Sequence, residues 1–372
     1  MIQKLFFFIS CFMLLVNCTG ANKAEADHWF LLAGSYSDGT GPGIYVYDFN
    51  IQTGDFTYIS DIKQVVNPSY LVVSRDERMV YSVNETQEGG ASAFRFDKSD
   101  GALSFVNSQP AFGASPCYIN IDSGQNFILT ANYNGGNLSV FPLDKEGNIK
   151  PVSMNINLNV PDSPASRAHT VVFSPDETRL LATDLGKDRI YSFVVKPEAT
   201  DSFLVLPAAS VTDLETGSGP RHLAFHPTGK YLYCLNELSG KITAFDYKGN
   251  SLYPIQSIPS DTTRSSDRKG SADIHLTSDG KFLYSSNRLK ADGIAIFSVD
   301  PKNGQLTRIG YQPTGIHPRN FVLSPNDKFL LCANLSSNNV QIFEIDSTTG
   351  LLHDTGKEMR LDKPVCLKWV RK

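Results

Sequence analysis

The sequence predicts an all-β fold, a seven-bladed β-propeller of four-stranded blades whose ring is closed by three N-terminal strands and one C-terminal strand. Three observations carry this expectation. A repeat with a period of roughly fifty residues runs through the chain, and the two ends supply complementary fractions of one further repeat. The 372 residues include Gly 28, Pro 20, Tyr 15 and Phe 23, which favours short strands and turns over long helices. At 41% hydrophobic the chain has enough apolar material for a packed core, which excludes intrinsic disorder. A formal charge of -4 without a long basic run argues against nucleic acid as a partner.

The first eighteen residues stand outside the fold. One lysine precedes an apolar run from Leu5 to Val16, too short to span a bilayer and suited to a signal-peptide core. The run ends in Leu15-Val16-Asn17-Cys18 and turns polar at once, which resembles a bacterial lipobox with Asn17 in place of the usual small residue. The expectation is a signal peptide over 1–18, lipidation at Cys18, a linker over 19–28 and one propeller domain over 29–372. The protein would be exported and lipid-anchored in the cell envelope, touching membrane only through that anchor.

The domain opens with three strands, at 30–35, 43–49 and 56–62. Six units follow, at 67–85, 115–133, 166–185, 219–237, 270–288 and 317–335. Each is an apolar strand, a polar turn such as S-P-D-x or H-P-T-G, and a second alternating strand ending in Asn or Asp. Those end residues, Asn84, Asn132, Asp184, Asn236, Asn287 and Asn334, recur at separations of 48, 52, 52, 51 and 47. A third and a fourth strand follow each unit, the pattern of propeller blades. The C-terminus adds one strand, 364–370, that matches the first strand of a blade. An open solenoid would need a cap at each end, whereas three strands plus one close a ring without a free sheet edge. Closure leaves no obligatory edge pairing, so a monomer is expected. Cys117, Cys234, Cys332 and Cys366 lie inside apolar strand patterns as buried thiols, and no C-x-x-C pair suggests a zinc ribbon or redox motif.

The repeat also locates candidate chemistry. In a propeller the first strand of each blade lines the central channel and the second runs antiparallel to it, so the start of one and the end of the other share a rim. Aligned on the residue sixteen before the Asn/Asp slot, usually proline, the next positions are Ser69, Cys117, His169, Arg221, Ala272, Arg319 and Val365. The positions after the Asn/Asp slot are Glu85, Tyr133, Leu185, Glu237, Arg288 and Leu335. One channel mouth therefore gathers His169, Arg221, Arg319, Glu85, Glu237 and Arg288. Cations, carboxylates and a histidine converging in a concavity mark an active site. The bland alternative is a set of exposed rim ion pairs worth ~0–1 kcal/mol each. The Asn/Asp slot itself, shared by blades with different neighbours, is assigned to turn or inter-blade hydrogen bonds. His226 is placed in a solvent-facing turn, and His28, His275 and His353 outside the mouth. The long polar loop at 259–272 enters a channel strand on the mouth side.

The stretches PCYINIDSGQNFILTANYNGGNLSVF, AHTVVFSPDETRLLATDLGKDRIYSF, GSGPRHLAFHPTGKYLYCLNEL and SDGKFLYSSNR together resemble the seven-bladed propeller lactonases. That family includes propeller-type 6-phosphogluconolactonases and is similar to the fungal carboxymuconate-lactonising enzymes. The resemblance implies a site of one histidine, two arginines and one glutamate, which fall on His169, Arg221, Glu237 and Arg288, four residues that the alignment of blades also singles out. One departure stands out: the family's P-H-A-H reads Ser166-Arg167-Ala168-His169 here. Arg167 thus joins Arg319, Glu85 and His222 as candidate substrate-binding residues.

The expected reaction is lactone hydrolysis without metal or cofactor. His169 or Glu237 would act as general base and acid, the histidine near neutrality suiting both directions. Arg221 and Arg288 would stabilise the oxyanion and hold an anionic group. There is no G-x-S-x-G elbow for a serine nucleophile. Rival readings are a cycloisomerase or lyase acting on an unsaturated carboxylate, a non-catalytic binding propeller, and a calcium-dependent gluconolactonase-type propeller. The last is disfavoured by a mouth so rich in arginine.

Overall fold

The computed structural model describes residues 27–199, 202–207, 210–264 and 268–372. The expected signal peptide, Cys18 and all but the end of the expected linker lie outside the described residues. Every regular element among the described residues is a β-strand. They form seven antiparallel sheets arranged as blades.

The closing blade joins the C-terminal strand Pro364–Arg371 to His28–Ser35, Ile44–Asn50 and Phe56–Ile62. Its register runs from Trp29 opposite Arg371 to Gly34 opposite Cys366. His28 is therefore a strand residue, not linker, and its Nδ1 lies 2.5 Å from Asp48. Blades one to six start from the channel strands Leu71–Val73, Pro116–Ile121, Ala168–Phe173, Pro220–Phe225, Ser271–Leu276 and Pro318–Leu323. Blade three departs from the simple plan, since its outer edge is split between Leu204–Val205 and Val211–Asp213, both paired with Arg189–Val195.

Blades pack through alternating apolar faces, with Phe30, Leu31, Tyr81, Phe94, Tyr233 and Phe297 fully buried. Neighbouring blades are also latched by hydrogen bonds from buried tyrosines. The hydroxyls of Tyr81, Tyr233 and Tyr284 each donate at 2.9 Å to the carbonyls of Gly147, Gly304 and Gly350 in the next blade's outer turn. Gly304 is required there, because its φ is +71° and a Cβ would lie 2.5 Å from the Tyr231 ring.

The Asn/Asp slot serves local hydrogen bonding. Asn132 donates to Ser139, Asn236 to Thr243 and Asn334 to Asn339, while Asp184 accepts the Arg167, Gly186 and Lys187 N–H groups. The turn histidine His226 is buried rather than solvent-facing, its Nε2 3.2 Å from the Gly280 carbonyl of the next blade.

One irregularity decides what faces the channel. Six channel strands shift register at their start, as between Pro220 and His222, which pair with Asn236 and Leu235. A bulge of this kind breaks the alternation of a strand. Two consecutive residues can then face the axis, Arg221 and His222 in blade four.

Candidate active site

A cavity of about 210 Å³ opens at the channel mouth, lined by Tyr36, Glu85, Cys117, Tyr133, His169, Glu237, Arg288 and Arg319. Five of these are residues the blade alignment marked for their chemistry, and each comes from a different blade. Arg221 does not line the cavity. It lies behind Glu237, 2% exposed, with Nε 2.9 Å from Glu237 Oε2. Arg288 reaches the same oxygen at 3.2 Å, so the carboxylate is held between two guanidiniums. Arg288 is fixed in turn by the end of the long loop, where the Gly270 carbonyl accepts its Nε–H at 2.7 Å. Across the cavity Arg319 lies 3.7 Å from Glu85, and Glu85 accepts the Tyr36 hydroxyl at 2.9 Å.

His169 is 4% exposed, its Nδ1 is without a hydrogen-bond partner, and its ring meets Tyr133 edge-on at 5.8 Å. Arg167 is absent from the lining and stacks at the rim, its guanidinium 5.5 Å from the centre of the Tyr133 ring. His222 likewise lies off the cavity, one layer down the channel. Its Nε2 is 3.1 Å from Arg221 and its Nδ1 2.6 Å from Asp273.

Residues 30–369 match the family described as lactonase, 7-bladed beta-propeller. The chain belongs to this family. It is 37% identical over 340 residues to a 6-phosphogluconolactonase of Formosa agariphila, covering 88% of this chain and 96% of that one. It is 33% identical over 348 residues to a 6-phosphogluconolactonase of Bacillus subtilis, covering 91% and 97%. Among solved structures, a Bacteroides fragilis protein described as a candidate 6-phosphogluconolactonase superposes with TM-score 0.88 at 46% identity over 92% of this chain and 98% of that one. The periplasmic gluconolactonase of Pseudomonas aeruginosa gives TM-score 0.86 at 29% identity over 92% and 99%. The protein is a lactone-hydrolysing enzyme of the propeller type.

The electrostatics of this lactonase's cavity differ from the sequence expectation in one respect. Burial, reinforced by Arg221 and the other cations, pushes the His169 pKa well below its usual 6.5, so its imidazole is neutral at pH 7 rather than poised near neutrality. Burial works to raise Glu237, but Arg288, Arg221 and Arg319 outweigh it and hold the carboxyl below its ordinary value. Burial dominates at Cys117 and pushes the thiol far up, so it is no nucleophile. Burial also lowers Arg288, with Glu237 opposing. Two guanidiniums, Arg288 and Arg319, thus line the cavity with two carboxylates, Glu85 and Glu237, while Arg221 backs Glu237 from behind. Among the described residues, no group of three or more His, Cys, Asp and Glu side chains could hold a metal ion.

Sequence reasoning missed Tyr36. Its equivalent of the Asn/Asp slot is Ser35, which pairs with Pro364 as Asn132 pairs with Pro116. Counting from the closing strand would have found it.

Proposed function

We propose that the protein hydrolyses a sugar δ-lactone, 6-phosphogluconolactone to 6-phosphogluconate, at the channel mouth and without a metal. The observation that carries this reading is the pairing of a neutral His169, its Nδ1 without a partner, with the two guanidiniums that line the same cavity, Arg288 and Arg319. Arginine forks suit the phosphate and the developing carboxylate, and relatives named for this activity support the substrate class.

In this mechanism water attacks the lactone carbonyl carbon while His169 takes its proton. Negative charge gathers on the carbonyl oxygen, where Arg288 and Arg319 stabilise it. The intermediate collapses with cleavage of the bond between the carbonyl carbon and the ring oxygen. The ring oxygen takes the proton back from His169 and leaves as a hydroxyl. Glu237, locked by Arg221 and Arg288, balances the imidazolium while it exists. A bound phosphate offsets the arginine field and raises the basicity of His169, so the substrate itself tunes its base.

A second reading is an unphosphorylated lactone in the envelope. It is favoured by the leader-like segment before Cys18 and by the similarity to a periplasmic gluconolactonase. In either reading we place the enzyme outside the cytoplasm as a monomer on a lipid anchor. Purified protein, assayed with chelator on both lactones above their spontaneous rates, decides between them. Preference for the phosphorylated lactone supports the first reading, preference for the neutral lactone the second, and turnover of neither overturns both.

A further inference from the structure

Beneath the cavity lies a second layer, one residue further along the channel strands, that includes Tyr70, Tyr118, His222, Asp273 and Asn320. Within it Asp273 is 1% exposed and its carboxylate is saturated. One oxygen accepts His222 Nδ1–H at 2.6 Å and the Ile274 N–H at 3.0 Å. The other accepts the Asn320 amide, His275 Nε2–H at 3.1 Å and the Phe321 N–H at 3.3 Å. His275, set aside in the sequence, is thus part of the channel network.

The chemistry of the partners fixes the state of His222. An ionised carboxylate only accepts and a guanidinium only donates. The ring must therefore carry its proton on Nδ1, toward Asp273, and offer the Nε2 lone pair to Arg221. Burial and the Arg221 charge lower its pKa to about 4, in keeping with a neutral ring. Arg221 is then tied at three points, to Glu237, to His222 and to the Ala272 carbonyl.

Apolar side chains could fill this layer without burying a carboxylate, and replacing buried charged groups by apolar ones is often neutral or stabilising. The polar chain is better explained by what stands at its upper end. We infer that His222 and Asp273 are positioning residues for hydrolysis. Asp273 sets the tautomer of His222, the imidazole aims the Arg221 guanidinium, and Arg221 holds the Glu237 carboxylate in place. The inference rests on the reading of Glu237 as part of the catalytic site.

The test compares His222→Gln with His222→Asn in the purified protein, with Glu237→Gln as reference. Glutamine places its amide oxygen near the Nε2 position and can still accept from Arg221. Asparagine mimics Nδ1, keeps the bond to Asp273 and cannot reach Arg221. On the lactone that the wild type turns over, His222→Asn should lower kcat at least tenfold with KM changed less than about threefold. His222→Gln should retain kcat within about threefold. Imidazole ¹⁵N spectra of the wild type at pH 7 should show His222 protonated on Nδ1 and bare on Nε2. A fully active His222→Asn, an equal loss in both variants, or the opposite tautomer overturns the inference. Failure of the underlying reading looks different: Glu237→Gln would remain fully active, or the wild type would turn over neither lactone.

Discussion

Acid should loosen this propeller through its buried histidines, His222 and His169. His222 has a folded pKa of about 4 against an ordinary 6.5, because burial and Arg221 disfavour its charged form. Between those values the unfolded chain binds a proton that the folded chain does not, so stability falls as pH drops below 6.5. The slope is about 1.4 kcal/mol per pH unit for one such group, which gives about 2 kcal/mol at pH 5 from His222 alone. His169 shifts in the same direction and adds to the loss. Asp273 has a depressed pKa and contributes nothing here, since it is ionised in both states until pH falls toward 4. For roughly 345 folded residues, with an unfolding entropy of about 2.1 cal/mol/K each, 2 kcal/mol corresponds to a Tm shift of about 3 °C. The assay is thermal unfolding of the wild type and His222→Gln at pH 7, 6 and 5, in buffers of equal ionic strength. The variant should lose about 3 °C less between pH 7 and 5. An identical pH dependence in both proteins would refute the assignment of a neutral, buried His222.

Glu237→Gln and His169→Ala should each lower kcat at least about a hundredfold, the usual contribution of acid–base and charge-stabilising groups, with far-ultraviolet circular dichroism unchanged. Tyr36→Phe removes the hydroxyl that Glu85 accepts and should raise KM several-fold for the anionic substrate while sparing kcat, as measured by steady-state kinetics. Tyr233→Phe breaks the latch to Gly304 and should destabilise by about 1 kcal/mol without altering turnover, as read by denaturant unfolding. Arg167→His restores the residue that the family commonly carries. Because Arg167 stacks on Tyr133 at the rim, the change should alter KM for the phosphorylated lactone more than kcat.

Blade count, closure and most of the candidate cavity's lining were legible because all three follow the repeat. Strand pairing forces the residue after the proline slot and the residue after the Asn/Asp slot onto one rim, so alignment alone gathered His169, Glu85, Glu237, Arg288 and Arg319. What alignment could not show was depth. Arg221 and Arg319 occupy equivalent slots, yet Arg221 is turned behind Glu237 while Arg319 reaches the cavity. That difference depends on which neighbours offer acceptors, among them the Ala272 carbonyl and His222. The protonation state of His169 was equally hidden, because its cause is the burial and summed charge of residues from separate blades. The depth of His222 was hidden as well, because the bulge that turns two consecutive residues toward the axis leaves no mark in the hydrophobic pattern.

That bulge explains how a repeating fold makes a non-repeating site. With strict alternation, each channel strand would present one residue to the mouth and send the next into the packing between blades. The added residue lets a strand place one side chain at the cavity and another in the layer beneath, as Arg319 and Asn320 do in blade six. The upper layer can then be charged and open, while the lower one carries the hydrogen-bonded set of Asp273, His222 and Asn320. A cluster of arginines is tolerable at the channel mouth because it does not have to pack the core between blades, and because carboxylates from neighbouring blades meet part of its charge. In the proposed reaction Arg288 and Arg319 stand ready to meet the negative charge that develops on the lactone carbonyl, so their binding energy is directed at the transition state.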